Sequence, residues 1–137
     1  MKKTRRGTRS GSLTLELLLI LPILLVIILA IVEFSLILVA RQQLTAASRE
    51  GARVAAMGGT ESEVEDAVLN TLGSGVLSTA TVNSVLEDAK GNPLPTGAQV
   101  RVVVSLPTAR VTPNLLAPIG FSIANDVLRT RTVMTKE

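Results

Sequence analysis

The chain has 137 residues, enough for one small domain, and 47% of them are hydrophobic while only 1% are aromatic. It contains no His and no Cys, which excludes the usual zinc, thiolate, disulfide and haem sites and His-based acid–base chemistry. The net charge of +3 is unevenly placed: Lys2, Lys3, Arg5, Arg6 and Arg9 form a basic leader, and residues 41–137 are balanced, so the basicity does not mark a nucleic-acid-binding face.

The leader joins the rest of the chain at Arg9–Ser10–Gly11–Ser12–Leu13–Thr14–Leu15–Glu16. Gly11 is followed by four residues and then one Glu, after which the chain is apolar. A cut after Gly11 would remove all the leader charge and expose a new α-ammonium at Ser12. Glu16 would then be the fifth residue. Near a helix start its carboxylate meets unpaired backbone amides favourably. Between adjacent subunits it would pair with a neighbour's new amine and fix the axial register. An uncleaved signal anchor with Glu16 at the membrane interface fits the same spacing, and the residues alone leave both readings open.

Leu17 to Ala40 reads as one transmembrane helix. It would be about 36 Å long at 1.5 Å per residue, against about 20 residues needed for a bilayer core. The apolar run exceeds that of a secretory signal peptide, and Val39–Ala40–Arg41 is a poor cleavage site for one. The basic excess precedes the span, which places the N-terminus in the cytoplasm and the bulk of the chain outside or in the periplasm. Two residues inside the span stand out. Pro22 lacks an N–H and is expected to bend or locally open the helix, a bend that a neighbouring subunit would absorb; Pro is also common in transmembrane helices generally. Glu33 is costly in lipid and has to be protonated, snorkelled or paired. Arg41 lies eight residues on, too far for pairing along a straight helix, so the options are a partner on another chain or snorkelling to the interface.

Arg41 to Met57 continues the helical pattern without Pro. The two segments predict one helix from Leu15 to Met57, about 64 Å long, stopped by Gly58–Gly59. Ala47, Gly51 and Ala55 make a ridge of small residues that lets another helix approach closely. Gly51 costs about 1 kcal/mol of helix propensity relative to Ala, and close approach would compensate. Arg49 and Arg53 are like charges four residues apart, and Glu50 is placed to offset them. A carboxylate from another subunit, or plain solvent, are the two surroundings that suit this stripe.

Beyond Gly59 the pattern predicts a small domain. Thr60 and Glu63 form a capping box for a helix over 61–72, with Val64, Val68 and Leu72 as its buried stripe and Gly73 as its stop. Glu61, Glu63, Glu65 and Asp66 favour that helix start and lack the spacing of a calcium loop. Residues 80–86 are rich in small and β-branched types, and 87–97 are turn-rich. Residues 99–106 are the clearest strand, with Val100, Val102, Val104 and Leu106 on one face. A Pro-containing crossover follows, anchored by Leu115 and Leu116. A last strand is expected within 123–134, with Asn125–Asp126 as a break. The predicted fold is α+β and pilin-like: a long transmembrane helix extending out of the membrane, then a short helix and a roughly three-stranded antiparallel sheet. So small a core needs to pack on the long helix or on a partner.

The Gly11-to-Glu16 junction resembles the processing site of type IV prepilins. With Glu16–Leu17–Leu18–Leu19–Ile20–Leu21–Pro22, then Ile31–Val32–Glu33–Phe34, then Ala46–Ala47–Ser48–Arg49–Glu50–Gly51–Ala52–Arg53, the chain is similar over residues 9–57 to the TadE/TadG-like pseudopilins of bacterial tight-adherence (Flp) pilus systems. The resemblance implies a leader (1–11), a transmembrane and protruding helix (12–57) and a periplasmic or extracellular domain (58–137). It implies cleavage between Gly11 and Ser12 by a membrane prepilin peptidase. It also implies a single-pass place in the bacterial inner membrane, lipid contact, and lateral packing on other pilin or pseudopilin subunits and on the pilus assembly platform, with incorporation into a cell-surface pilus as one outcome. Assembly contacts then fall on Glu16, Pro22, Glu33, Ala47, Arg49, Glu50, Gly51, Arg53 and Ala55. Catalysis would belong to the peptidase; no enzymatic role, cofactor, metal or nucleic-acid partner is expected for this chain. Ser12 in place of an apolar residue, and the added domain, depart from major pilins and point to a minor component. The alternative is an uncleaved bitopic anchor displaying a small periplasmic binding domain.

Overall fold

The computed structural model describes residues 10–86 and 91–137, with side chains described from residue 14 onward in the long helix. The basic leader through Arg9 and the start of the 87–97 turn, residues 87–90, lie outside the described residues.

Helix α1 spans Ser10–Ala56 and is 47 residues long, about 70 Å. It stays helical through Pro22. The helix ends where two glycines permit it. The Gly58 N–H donates to the Ala55 carbonyl and the Gly59 N–H to the Val54 carbonyl, with Gly58 at a φ of 87°. This is a Schellman closure, which satisfies two otherwise unpaired carbonyls and needs a left-handed residue.

Helix α2, Glu61–Leu72, then turns back along α1. Its start is the predicted reciprocal cap: the Thr60 N–H donates to Glu63 Oε2 at 2.8 Å and the Glu63 N–H to the Thr60 hydroxyl at 3.4 Å. Val64, Val68 and Leu72 are buried against α1, and Gly73 caps the end.

Three strands follow: β1 (Thr81–Val85), β2 (Gln99–Pro107) and β3 (Val127–Thr135), all antiparallel in the order β1-β2-β3. Strand β2 alternates strictly, burying Val100, Val102, Val104 and Leu106, as its sequence predicts. The last strand starts at Val127, four residues later than the earliest predicted start. Residues 123–126 instead turn, with the Asp126 N–H donating to the Ile123 carbonyl. The Asp126 carbonyl then receives the Thr108 N–H at 2.9 Å, closing the base of the crossover.

The inner sheet face and α2 both pack on α1, and one core joins Leu44, Ala47, Ala52, Ala55, Val64, Val68, Val102 and Leu106. The C-terminal half of α1 and the distal domain therefore share a single interior. A part-buried polar link adds to it: the hydroxyls of Ser48 in α1 and Thr132 in β3 lie 2.8 Å apart. The chain closes where it began to fold back, with the Glu137 N–H on the Ala56 carbonyl at 2.9 Å.

Candidate functional site

Helix α1 is the candidate site, and its surface divides into two halves. From Thr14 to Val32 no residue is buried, and the exposed side chains are nearly all Leu, Ile and Val. These nineteen residues amount to about 28 Å of helix, close to the roughly 30 Å of a bilayer hydrocarbon core. An apolar surface of this kind all round a helix is stable in lipid and not in water. Among the described residues α1 is the one helix long and apolar enough to cross a membrane. Glu16 is exposed near the start of this half, and Pro22 is exposed within it. Gly11 and Ser12 lie in the first turns of α1 by backbone.

From Glu33 onward one stripe of α1 is covered. Glu33, Ala40, Leu44, Ala47, Ser48, Gly51, Ala52, Ala55 and Ala56 are buried at helical spacing. The expected span of 17–40 is thus shared: its last eight residues already have a face against the domain.

Glu33 opens this stripe and is completely buried. Its Oε2 accepts the backbone N–H of Leu116 at 3.2 Å, across 83 residues of sequence. Its first partner is therefore its own crossover loop, where the sequence suggested another chain or the interface. The physical reason is the loop's path: it leaves β2, descends beside α1, and seats Leu116 on the helix. Glu33 Oε1 has no partner. Among the described residues the other buried, unpartnered side-chain atoms are Thr108 Oγ1, Thr112 Oγ1 and Asn114 Oδ1, all on the same loop. Buried polar groups without partners are costly, so their concentration on Glu33 and the loop that reaches it sets these segments apart from the rest of the interior.

The small-residue ridge is occupied from within. A Cβ on Gly51 would lie 2.5 Å from Val68 Cγ2, 3.4 Å from Val102 Cγ1 and 3.5 Å from Val64 Cγ1. Ala47 and Ala55 are buried in the same core. Close approach does explain the glycine, but the approaching elements are α2 and β2 of this chain, not another subunit's helix. Sequence spacing cannot distinguish the two, since both demand the same small side chains.

Arg49 and Arg53 are exposed on the opposite side of α1. Arg53 grips Glu50 with two donors, its Nη2 at 2.6 Å from Oε1 and its Nε at 3.1 Å from Oε2. This solvent-facing pair offsets the arginine repulsion as the spacing predicts. Leu38, Arg41, Gln42, Thr45, Ala46 and Arg49 line a shallow groove along this outer side, which the domain leaves uncovered. Among the described residues no group of three or more acidic side chains is placed to hold a metal.

Residues 11–53 match the family described as TadE-like protein. The N-terminal segment of this chain is similar to that family. The match begins at Gly11 and closes at Arg53, at the end of the Arg–Glu–Gly–Ala–Arg run. Searches of curated proteins and of solved structures found no match. The TadE-like segment therefore carries Glu16, Pro22, Glu33 and the ridge, while α2 and the sheet lie beyond it. Sequence reasoning found each of these residues but missed the Leu116 amide and the Ser48–Thr132 bond. The crossover's two leucines were the available signal, and nothing in them names Glu33.

Proposed function

We propose that this protein is a minor pseudopilin-like structural subunit of a tight-adherence pilus or related secretion machine, processed between Gly11 and Ser12. The observation that carries this reading is the TadE-like match starting at Gly11 on a helix whose first half is apolar on every side. Removal of the basic leader would free that half to lie beside other helices in the bilayer. Glu16 would then pair with a neighbour's amine and set the stagger. Because Ala47, Gly51 and Ala55 are consumed internally, lateral packing in this reading falls to residues 14–32 and to the outer side of α1 bearing Arg49, Glu50 and Arg53. The N-terminus lies in the cytoplasm and the domain in the periplasm, as the leader charge directs.

The test is the N-terminal mass of protein extracted from membranes of cells with an active prepilin peptidase. A mature chain beginning at Ser12, and an unprocessed chain in a Gly11→Leu variant that still inserts, are expected. A native chain that keeps its leader under those conditions overturns the reading in favour of an uncleaved anchor.

A further inference from the structure

The crossover between β2 and β3 descends to a level of α1 that belongs to the apolar run. We propose that its tip, residues 113–121, is a second lipid-contacting element, set into the outer boundary of the bilayer and held there by Glu33. This rests on α1 crossing the membrane.

Four observations converge. The tip is pinned to the helix at Glu33 through the Leu116 amide, eight residues before Arg41 and so about 12 Å nearer the membrane interior along the axis. The side chains it turns outward are apolar: Ile119 is 57% and Phe121 62% exposed, and Pro113 and Pro118 are exposed beside them. Its anchor point lies at the end of the exposed apolar surface of α1, where Ile31 and Phe34, close to Glu33 in sequence, are exposed. The tip is also built, not loose. The Leu116 carbonyl receives both the Ile119 and the Phe121 amides, the Gly120 N–H closes on Ala117, and Asn114 Nδ2 donates to the Ser122 hydroxyl at 3.1 Å. Asn114 at a φ of 54° and Gly120 at 86° make the two reversals. Backbone at this depth is tolerated only where its polar groups are satisfied, and these bonds serve that end. Arg110, just before the tip, is exposed next to Leu36, Val39 and Ala40, at a height suited to lipid phosphates. Phe121 is one of only two aromatic residues in the chain, the other being Phe34, the residue after Glu33 in α1. Lipid is the occupant that suits this patch, because it already surrounds the helix surface at whose end the patch is anchored.

The absence of cysteine permits single-site labelling of the full-length chain. Phe121→Cys and Ile119→Cys would each carry a fluorophore in nanodiscs of phosphatidylethanolamine and phosphatidylglycerol. Ile27→Cys marks the span and Ser62→Cys the far end of the domain. The labels at 119 and 121 are expected to be quenched by nitroxide-bearing acyl chains and to lose several-fold in accessibility to an aqueous nickel quencher relative to position 62. Aqueous quenching at 119 and 121 with lipid quenching at 27 overturns the proposal and leaves the span intact. Aqueous quenching at 27 as well shows that the span reading failed first and takes the proposal with it. Protection from both quenchers, as under another protein, also overturns it. In the Phe121→Cys background, Glu33→Ala should raise aqueous accessibility at 121, and Glu33→Gln, which keeps an oxygen for the Leu116 amide, should restore it. An unchanged label in Glu33→Ala overturns the positioning role of Glu33.

Discussion

The two halves of α1 are built from one continuous helix and yet solve opposite problems. From Thr14 to Val32 every side is apolar and no residue is buried, with only Val26, Leu29 and Ala30 half-covered. From Glu33 to Ala56 one stripe is buried under the chain's own domain, and the other side carries Arg41, Arg49, Glu50 and Arg53. The first half takes its stability from lipid, the second from tertiary packing. Side-chain size follows the division. Leu and Ile dominate where the neighbours are mobile acyl chains, while Ala, Ser and Gly dominate where a sheet and a helix must come within contact distance.

Substitutions that respect or violate this division test it. Leu106→Ala removes a fully buried side chain from the shared core and should destabilise the domain by about 2–5 kcal/mol. Denaturation of the full chain in detergent measures it, and Ile27→Ala in the exposed half should leave the same transition unchanged. Gly51→Ala comes next. The added methyl meets Val68 at 2.5 Å, an overpacking cost of about 1–3 kcal/mol that about 1 kcal/mol of gained helix propensity only partly offsets. If Gly51 instead faced another subunit, this variant would stabilise the isolated chain, so the sign of the shift decides between the two placements. Thr60→Ala should cost about 1 kcal/mol by removing the cap of α2, read from the same denaturation curves.

A smaller effect comes from pH. The Thr60 N–H, and after it the Thr60 hydroxyl, hold the Glu63 carboxyl below its ordinary value of 4.5. A depressed folded-state value stabilises the protein above the unfolded value, and that contribution disappears as pH falls through the folded value. Stability of the native chain should thus fall more between neutral pH and pH below 4.5 than that of Glu63→Gln. Because this carboxyl is exposed, the difference will be small. The least effect is expected from Arg53→Ala on the outer side of α1, since a solvent-screened, exposed ion pair contributes little to stability. A larger loss would show that this side is covered in a way the isolated chain does not reveal.

The legible features were those governed by local rules. The apolar run, the Gly58–Gly59 stop, the Thr60–Glu63 cap, the alternation of Val100, Val102, Val104 and Leu106, and the break at Asn125–Asp126 each depend on residues within a few positions of one another. The ridge of Ala47, Gly51 and Ala55 was legible as a demand for close approach, though not as to what approaches. For Glu33 the sequence announced only the cost of burying a carboxylate.

What the chain order alone determined is therefore the list of elements, the apolar helix and the α+β class, because hydrophobic period and capping act over a few residues. What only the folded arrangement decided is who meets whom: Leu116 on Glu33, Thr132 on Ser48, Val68 and Val102 on Gly51. Those contacts join residues up to 84 positions apart. They depend on the path of the chain between them, and no local pattern encodes that path.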